Sequence, residues 1–66
     1  MKITMNGETI ELPPRSNLDD LCRLLDVSKK SSVISVNGEV VGKSEYASYM
    51  LKEASVVEVM VFVGGG

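Results

Sequence analysis

The run 56-VVEVMVFV-63 restricts the fold more than any other stretch of this sequence. It is eight residues long and rich in β-branched side chains, and only 64-GGG-66 follows it. That composition favours a strand over a helix. A strand this apolar has to be covered, and a central place in the sheet, between strands from earlier in the chain, covers it best. Alternation puts Val57, Val59, Val61 and Val63 on one side and Val56, Glu58, Met60 and Phe62 on the other. A carboxylate is seldom buried without a partner, so the side carrying Glu58 is expected to face solvent. Met60 and Phe62 then share an exposed face beside the chain's last residues, and with Glu58 they form a candidate partner-docking surface. The alternative is a strand covered on both faces, or one whose parity is reversed by a bulge.

The earlier residues supply the strands that would flank it. Asn6-Gly7 is a hairpin signal between two alternating arms, Ile3 and Met5 before it, Ile10 and Leu12 after it. Pro13-Pro14 ends the second arm, since proline donates nothing to a ladder. Ser16 is expected to cap a helix, with Asp19 three residues on as its capping-box partner and Asp19-Asp20 opposite the positive helix end. Leu18, Leu21, Cys22 and Leu25 form one apolar stripe, so the helix should run to Leu25 or Asp26. A polar loop, Ser28 to Ser32, leads to the strand Val33–Val36, a second Asn-Gly turn at Asn37-Gly38 and a short return strand at Val40-Val41. Ala47, Met50 and Leu51, with Tyr46 alongside, match a short second helix. The order β-β-α-β-β-(short α)-β predicts an α+β chain with a mixed sheet of four to five strands packed on one main helix, the β-grasp or ubiquitin-like arrangement. Residues 1–63 form that single domain in this reading, and 64–66 a flexible glycine tail.

Composition narrows the function. A 66-residue chain buries only about 60% of the surface its unfolded form exposes, enough for one small core. Hydrophobic content of 44% with 24% charged residues reads as globular. Seven basic and nine acidic residues are well mixed, for a net charge of −2, which argues against a nucleic-acid partner. No apolar run reaches membrane length and no signal-peptide pattern opens the chain, so a cytoplasmic protein with no membrane partner is expected. The single cysteine, Cys22, excludes an internal disulfide and lies on the helix stripe, where a thiol packs as a small hydrophobe. There is no histidine, the commonest general base and metal ligand. The expectation is a protein with no catalytic residues, no metal site and no bound cofactor of its own.

The tail is where chemistry remains. Three extended residues reach roughly 10 Å, and glycines pass through channels too narrow for side chains. The reactive group is the α-carboxylate of Gly66, ionised at neutral pH given a reference pKa of about 3.3–3.7. A carboxylate is a poor electrophile until activated. ATP, with Mg²⁺ neutralising its phosphates, would convert it to an acyl-adenylate, from which a sulfur nucleophile displaces AMP and leaves a thiocarboxylate. Ordering three glycines costs about 3–6 kcal/mol, so the folded body must supply the binding. The opposing reading is a frayed terminus with no role.

The segments 36-VNGEVV-41, 44-SEYA-47 and 58-EVMVFVGGG-66, together with 1-MKITMNGE-8 and the helix Leu18 to Leu25, resemble the ThiS-like sulfur carriers of thiamine biosynthesis. These are small ubiquitin-like proteins that end in Gly-Gly, and the resemblance covers the whole chain. It implies that Gly66 is adenylated by an enzyme similar to the ubiquitin-activating enzymes, with ATP and Mg²⁺ used by that partner. Gly64 and Gly65 would enter partner active sites. Sulfur would come from cysteine through a desulfurase or from another sulfide source, and pass to thiazole synthase. The free carrier would be a monomer. Ala54-Ser55 stands where many members carry Gly-Asp, Gly42 replaces a frequent proline and Tyr46 a frequent tryptophan. The small subunit of molybdopterin synthase, a ubiquitin-like protein modifier and a non-covalent β-grasp interaction module remain the alternatives.

Overall fold

Both Asn-Gly dipeptides make the turns their chemistry favours. Asn6 and Gly7 have φ of 49° and 83°, and Asn37 and Gly38 have 51° and 89°, the paired positive values that let a two-residue loop match the twist of its strands. The computed structural model describes residues 1–62. The first turn joins β1 (Lys2–Met5) to β2 (Glu8–Glu11) in antiparallel register, Ile3 opposite Ile10. The second joins β3 (Ser32–Val36) to β4 (Glu39–Val40). Helix α1 (Leu18–Leu25) connects the hairpins, and β5 (Val56–Val61) comes last.

The five strands lie in the order β2-β1-β5-β3-β4. The last strand is central, as its composition requires, parallel to β1 and antiparallel to β3. Val63 and the three glycines lie outside the described residues. This mixed sheet with one α-helix is the β-grasp arrangement expected from the element order. The core joins Ile3, Leu18, Leu21, Ile34 and Val57, each 1% exposed or less, to Leu12, Val36 and Leu51. An isolated helix of eight residues would be marginal in water. Full burial of Leu18 and Leu21, contributing about 1.5–3 kcal/mol each, is what fixes this one.

Two expectations are corrected. The helix cap is Asn17 rather than Ser16, and its capping-box partner is Asp20 rather than Asp19. Asn17 has extended backbone (φ −102°, ψ −179°); its side chain accepts from the Asp20 N–H at 2.7 Å and its own N–H donates to Asp20 Oδ2 at 2.9 Å. Ser16 is instead buried, its hydroxyl donating to the Pro13 carbonyl at 2.7 Å and its carbonyl accepting from the Leu51 N–H at 2.8 Å. The second correction concerns the short helix. Lys43–Glu45 forms a single 3₁₀ turn and the chain then runs irregularly; Ala47 and Met50 are exposed while Tyr46 is fully buried. One aromatic anchor with Leu51, not a helical stripe, pins this segment to the core.

Two departures from the family pattern fall on backbone positions with clear preferences. Ala54 has φ +67°, a left-handed conformation that suits glycine. Ser55 takes over a closing role, its hydroxyl accepting from the Lys52 N–H at 3.1 Å and donating to the Lys52 carbonyl at 2.7 Å. Gly42 has φ −68° and ψ 143°, values a proline ring adopts without strain. Ala54→Gly is therefore expected to stabilise the fold by about 1 kcal/mol, and Gly42→Pro by about 0.4–1 kcal/mol. Urea unfolding of each variant beside the parent measures both; a lower midpoint for Ala54→Gly would contradict the strain assigned to that position.

Candidate functional site

Along β5 the two faces separate as alternation demands. Val57 and Val59 are buried, whereas Val56, Glu58, Met60 and Phe62 all face solvent. The strand is covered on one face only, so Glu58, Met60 and Phe62 do form one exposed surface. Neighbouring strands extend it: Val33 pairs with Met60, Ser35 pairs with Glu58, and exposed Val40 pairs with Ser35. An open depression on this face is lined by Val33, Ser35, Val40, Glu58 and Met60, so Glu58 is one carboxylate among mostly apolar neighbours. A further depression, lined by Asn37, Tyr49, Met50 and Lys52 among others, sits by the start of β5, remote from Phe62.

The buried face ends sooner than alternation alone suggests. Val61 has the parity of Val57 and Val59, yet it is 52% exposed. The cause is the early departure of β1, which pairs with β5 only at Val56 and Val57. Beyond Val59 the strand overhangs the core, held on the other side by β3 through Val61 opposite Ser32 and the Phe62 N–H on the Ser31 carbonyl at 2.8 Å. Met60, Val61 and Phe62 thus form a projecting apolar end. Gly64, Gly65 and Gly66 lie outside the described residues.

Two side chains that the sequence reading treated only as turn formers also hold this strand. Asn37 Oδ1 accepts from the Val56 N–H at 2.9 Å. Asn6 Oδ1 accepts from the Val59 N–H at 2.8 Å, and Asn6 Nδ2 donates to the Val59 carbonyl at 3.1 Å. The signal for a turn asparagine is local, whereas Val59 is 53 residues away. Among the described residues no group of three or more His, Cys, Asp or Glu side chains comes together to hold a metal ion, and no helix is long and apolar enough to cross a membrane.

Residues 2–66 match the profile of the ThiS family. The sulfur carrier protein ThiS of Bacillus subtilis is 28% identical over 65 residues, 97% of this chain and 98% of that protein. Two proteins called thiazole synthase, from Paramagnetospirillum magneticum and Magnetococcus marinus, are 30% and 32% identical over 66 residues. The match takes in all of this chain, but the chain spans only about a fifth (20%) of the length of each of these two curated relatives. The crystal structure of the thiamine biosynthesis protein ThiS from Geobacter metallireducens superposes with a TM-score of 0.84 at 28% identity, covering all of both chains. A solution structure of a thiamine biosynthesis protein from the same organism gives 0.80 at 29% identity, covering 88% of that chain.

Cys22 stands apart from this surface. It is buried on α1, and burial, followed by the nearby Asp19 carboxylate, pushes its thiol above the ordinary 9.0, with Lys29 opposing. Lys29 Nζ lies 2.8 Å from Asp19 Oδ1, an ion pair that raises the lysine's pKa above 10.5. Burial first, then Cys22, raises Tyr46 above 10.0. Such a thiol is a poor nucleophile at neutral pH. All three groups hold their protons more tightly folded than unfolded, so stability falls as pH rises. The urea midpoint is expected to be level near neutrality and to fall from about pH 9, steepening above about pH 10 as the tyrosine and the Lys29 pair titrate. Cys22→Ala should remove the first part of that fall; an unchanged profile would show that the thiol does not contribute.

Proposed function

The chain belongs to the ThiS family, the sulfur carriers of thiamine biosynthesis, and on that premise we propose that Gly66 carries the sulfur as a terminal thiocarboxylate. The observation that carries the reading is the overhang of β5. The central strand leaves the core after Val59 with Met60, Val61 and Phe62 exposed, heading toward the glycines. A body with a rigid central strand and an apolar projecting end is suited to bind a partner while the residues beyond it do the reacting.

The chemistry follows from the weakness of a carboxylate as an electrophile. On an adenylating partner that binds ATP and Mg²⁺, a Gly66 carboxylate oxygen attacks the α-phosphorus and pyrophosphate leaves. The resulting acyl-adenylate has AMP as its leaving group. Hydrosulfide, from a sulfide source or released when a thiol reductant cleaves a desulfurase persulfide and is itself oxidised to a disulfide, adds to the carbonyl carbon; AMP departs, a proton is released and the thiocarboxylate remains. The carrier contributes the electrophile and its delivery, and the partner contributes the catalytic groups. Gly64 and Gly65 serve as the narrow leader into the active site.

Docking on Glu58, Met60 and Phe62 makes the energetics consistent. Met60 and Phe62 are 59% and 56% exposed, so covering both contributes about 2–3.5 kcal/mol together, which offsets much of the roughly 3–6 kcal/mol needed to order three glycines. A thiazole synthase is the proposed sulfur acceptor. In two proteins of that name a segment similar to this entire chain occupies a fifth (20%) of the length, and one polypeptide holding both parts would keep donor and acceptor together.

Intact-mass analysis after incubation with the adenylating partner, ATP, Mg²⁺ and sulfide tests the reading directly. The expected product is heavier by the exchange of one oxygen for sulfur, and fragmentation maps the change to Gly66. No gain, with an enzyme active on another carrier, would reject it. Gly66→Ala is expected to slow ATP–pyrophosphate exchange by roughly 10- to 100-fold through misplacement of the reacting carbon, without altering the unfolding midpoint. Met60→Glu should raise the half-saturating carrier concentration about tenfold and leave the maximal rate alone; an effect on the maximal rate only would move the docking surface elsewhere.

A further inference from the structure

A strand in the middle of a sheet expects a neighbour on each edge, and a buried or half-buried backbone group left without one is costly. On the β3 side of β5 the ladder runs the full length, from Asn37 donating to the Val56 carbonyl at 2.7 Å to Phe62 donating to Ser31 at 2.8 Å. On the β1 side it stops short. Thr4 donates to the Ser55 carbonyl and Asn6 to the Val57 carbonyl, each at 2.9 Å, after which the chain turns away at Gly7. The next residue of β5 with its backbone directed to that edge is Val59. Both its N–H and its carbonyl are met by the carboxamide of Asn6, a side chain arranged as a peptide unit would be.

Few residues could do this. The position needs positive φ, 49° here, which asparagine tolerates better than most. It also needs one donor and one acceptor at a fixed spacing on a short stem, which only a carboxamide provides. Asn6 thereby extends the ladder by one more pair, at the last buried residue before the overhang of Met60, Val61 and Phe62. We propose that Asn6 is a positioning residue for the carrier reaction: through both backbone groups of Val59 it clamps the edge of β5 that β1 has left, while β3 holds the other edge as far as Phe62, so that the end of the strand keeps one twist relative to the sheet. The proposal rests on the sulfur-carrier reading above. Asn6 acts through Val59 and the strand end that follows it, not on a reacting group.

Asn37 supplies the control. It occupies the same kind of turn and holds β5 by its side chain at Val56, the end remote from the tail. Asn6→Gly and Asn37→Gly both keep the positive φ of their turns, so both fold. ATP–pyrophosphate exchange is measured with the adenylating partner as a function of carrier concentration. For Asn6→Gly the maximal rate is expected to fall about fivefold at an unchanged half-saturating concentration, since β3 still holds Met60 and Phe62. Asn37→Gly should stay within about twofold of the parent. Equal losses in the two glycine variants would overturn the proposal. Amide hydrogen exchange of the free proteins reads the clamp without any enzyme: the Val59 N–H, which Asn6 accepts from, is expected to exchange about tenfold faster in Asn6→Gly and at the parent rate in Asn37→Gly. Unchanged Val59 exchange in Asn6→Gly overturns the positioning role. If the parent itself is not adenylated, the carrier reading fails, and the Val59 amide alone decides this one.

Discussion

The pairing of β5 along both its edges is the constraint on which the rest of this structure depends. Both neighbours of β5 come from earlier in the chain, β1 on one side and β3 on the other. The parallel pairing with β1 requires a crossover, and α1 is brought over the sheet as part of it. Where the two neighbours peel away into their turns, Asn6 and Asn37 continue the pairing with side-chain amides. In a 66-residue chain with so small a core, hydrogen bonds that span most of the sequence do much to make one register definite.

That same pairing divides the strand into two roles. Val57 and Val59 belong to the core and hold the sheet to α1; Glu58, Met60 and Phe62 are excluded from it by alternation and stay exposed. The division costs the fold little, because a β-grasp sheet is covered by its helix on one face only. In the proposed function it also explains how a protein without histidine and with a buried cysteine takes part in covalent chemistry. The reacting group is the chain's last carboxylate in the proposed function, and a carboxylate needs delivery to an enzyme more than it needs neighbours.

Much of the fold was legible in the residues. The turns at Asn6-Gly7 and Asn37-Gly38, the extent of α1 and the exposed parity of Glu58, Met60 and Phe62 all follow from local backbone chemistry or from a period of 3.6 or 2. The errors came where two local signals competed. Ser16 and Asn17 are both capping types followed three residues later by aspartate, and the choice was made by the demand of Pro13 and Leu51 for Ser16. Between Gly42 and Leu51 the apolar spacing resembles a helix, but a fully buried Tyr46 sets that path. Its hydroxyl is buried with no hydrogen-bond partner among the described residues, a polar cost accepted for the volume of the ring.

The sequence by itself determined which residues turn, which alternate and which face of the last strand is polar enough to stay wet, because these depend on backbone preferences and side-chain transfer energies that act within a few residues. Tertiary structure decided where the covered face of β5 ends and what holds the strand there. Val61 has the alternation of a core residue and is exposed because β1 has already turned aside; Asn6 reads as a turn former and also binds Val59, 53 residues away. Both outcomes depend on which strands come to lie side by side, and adjacency of that kind exists only once the chain has closed on itself.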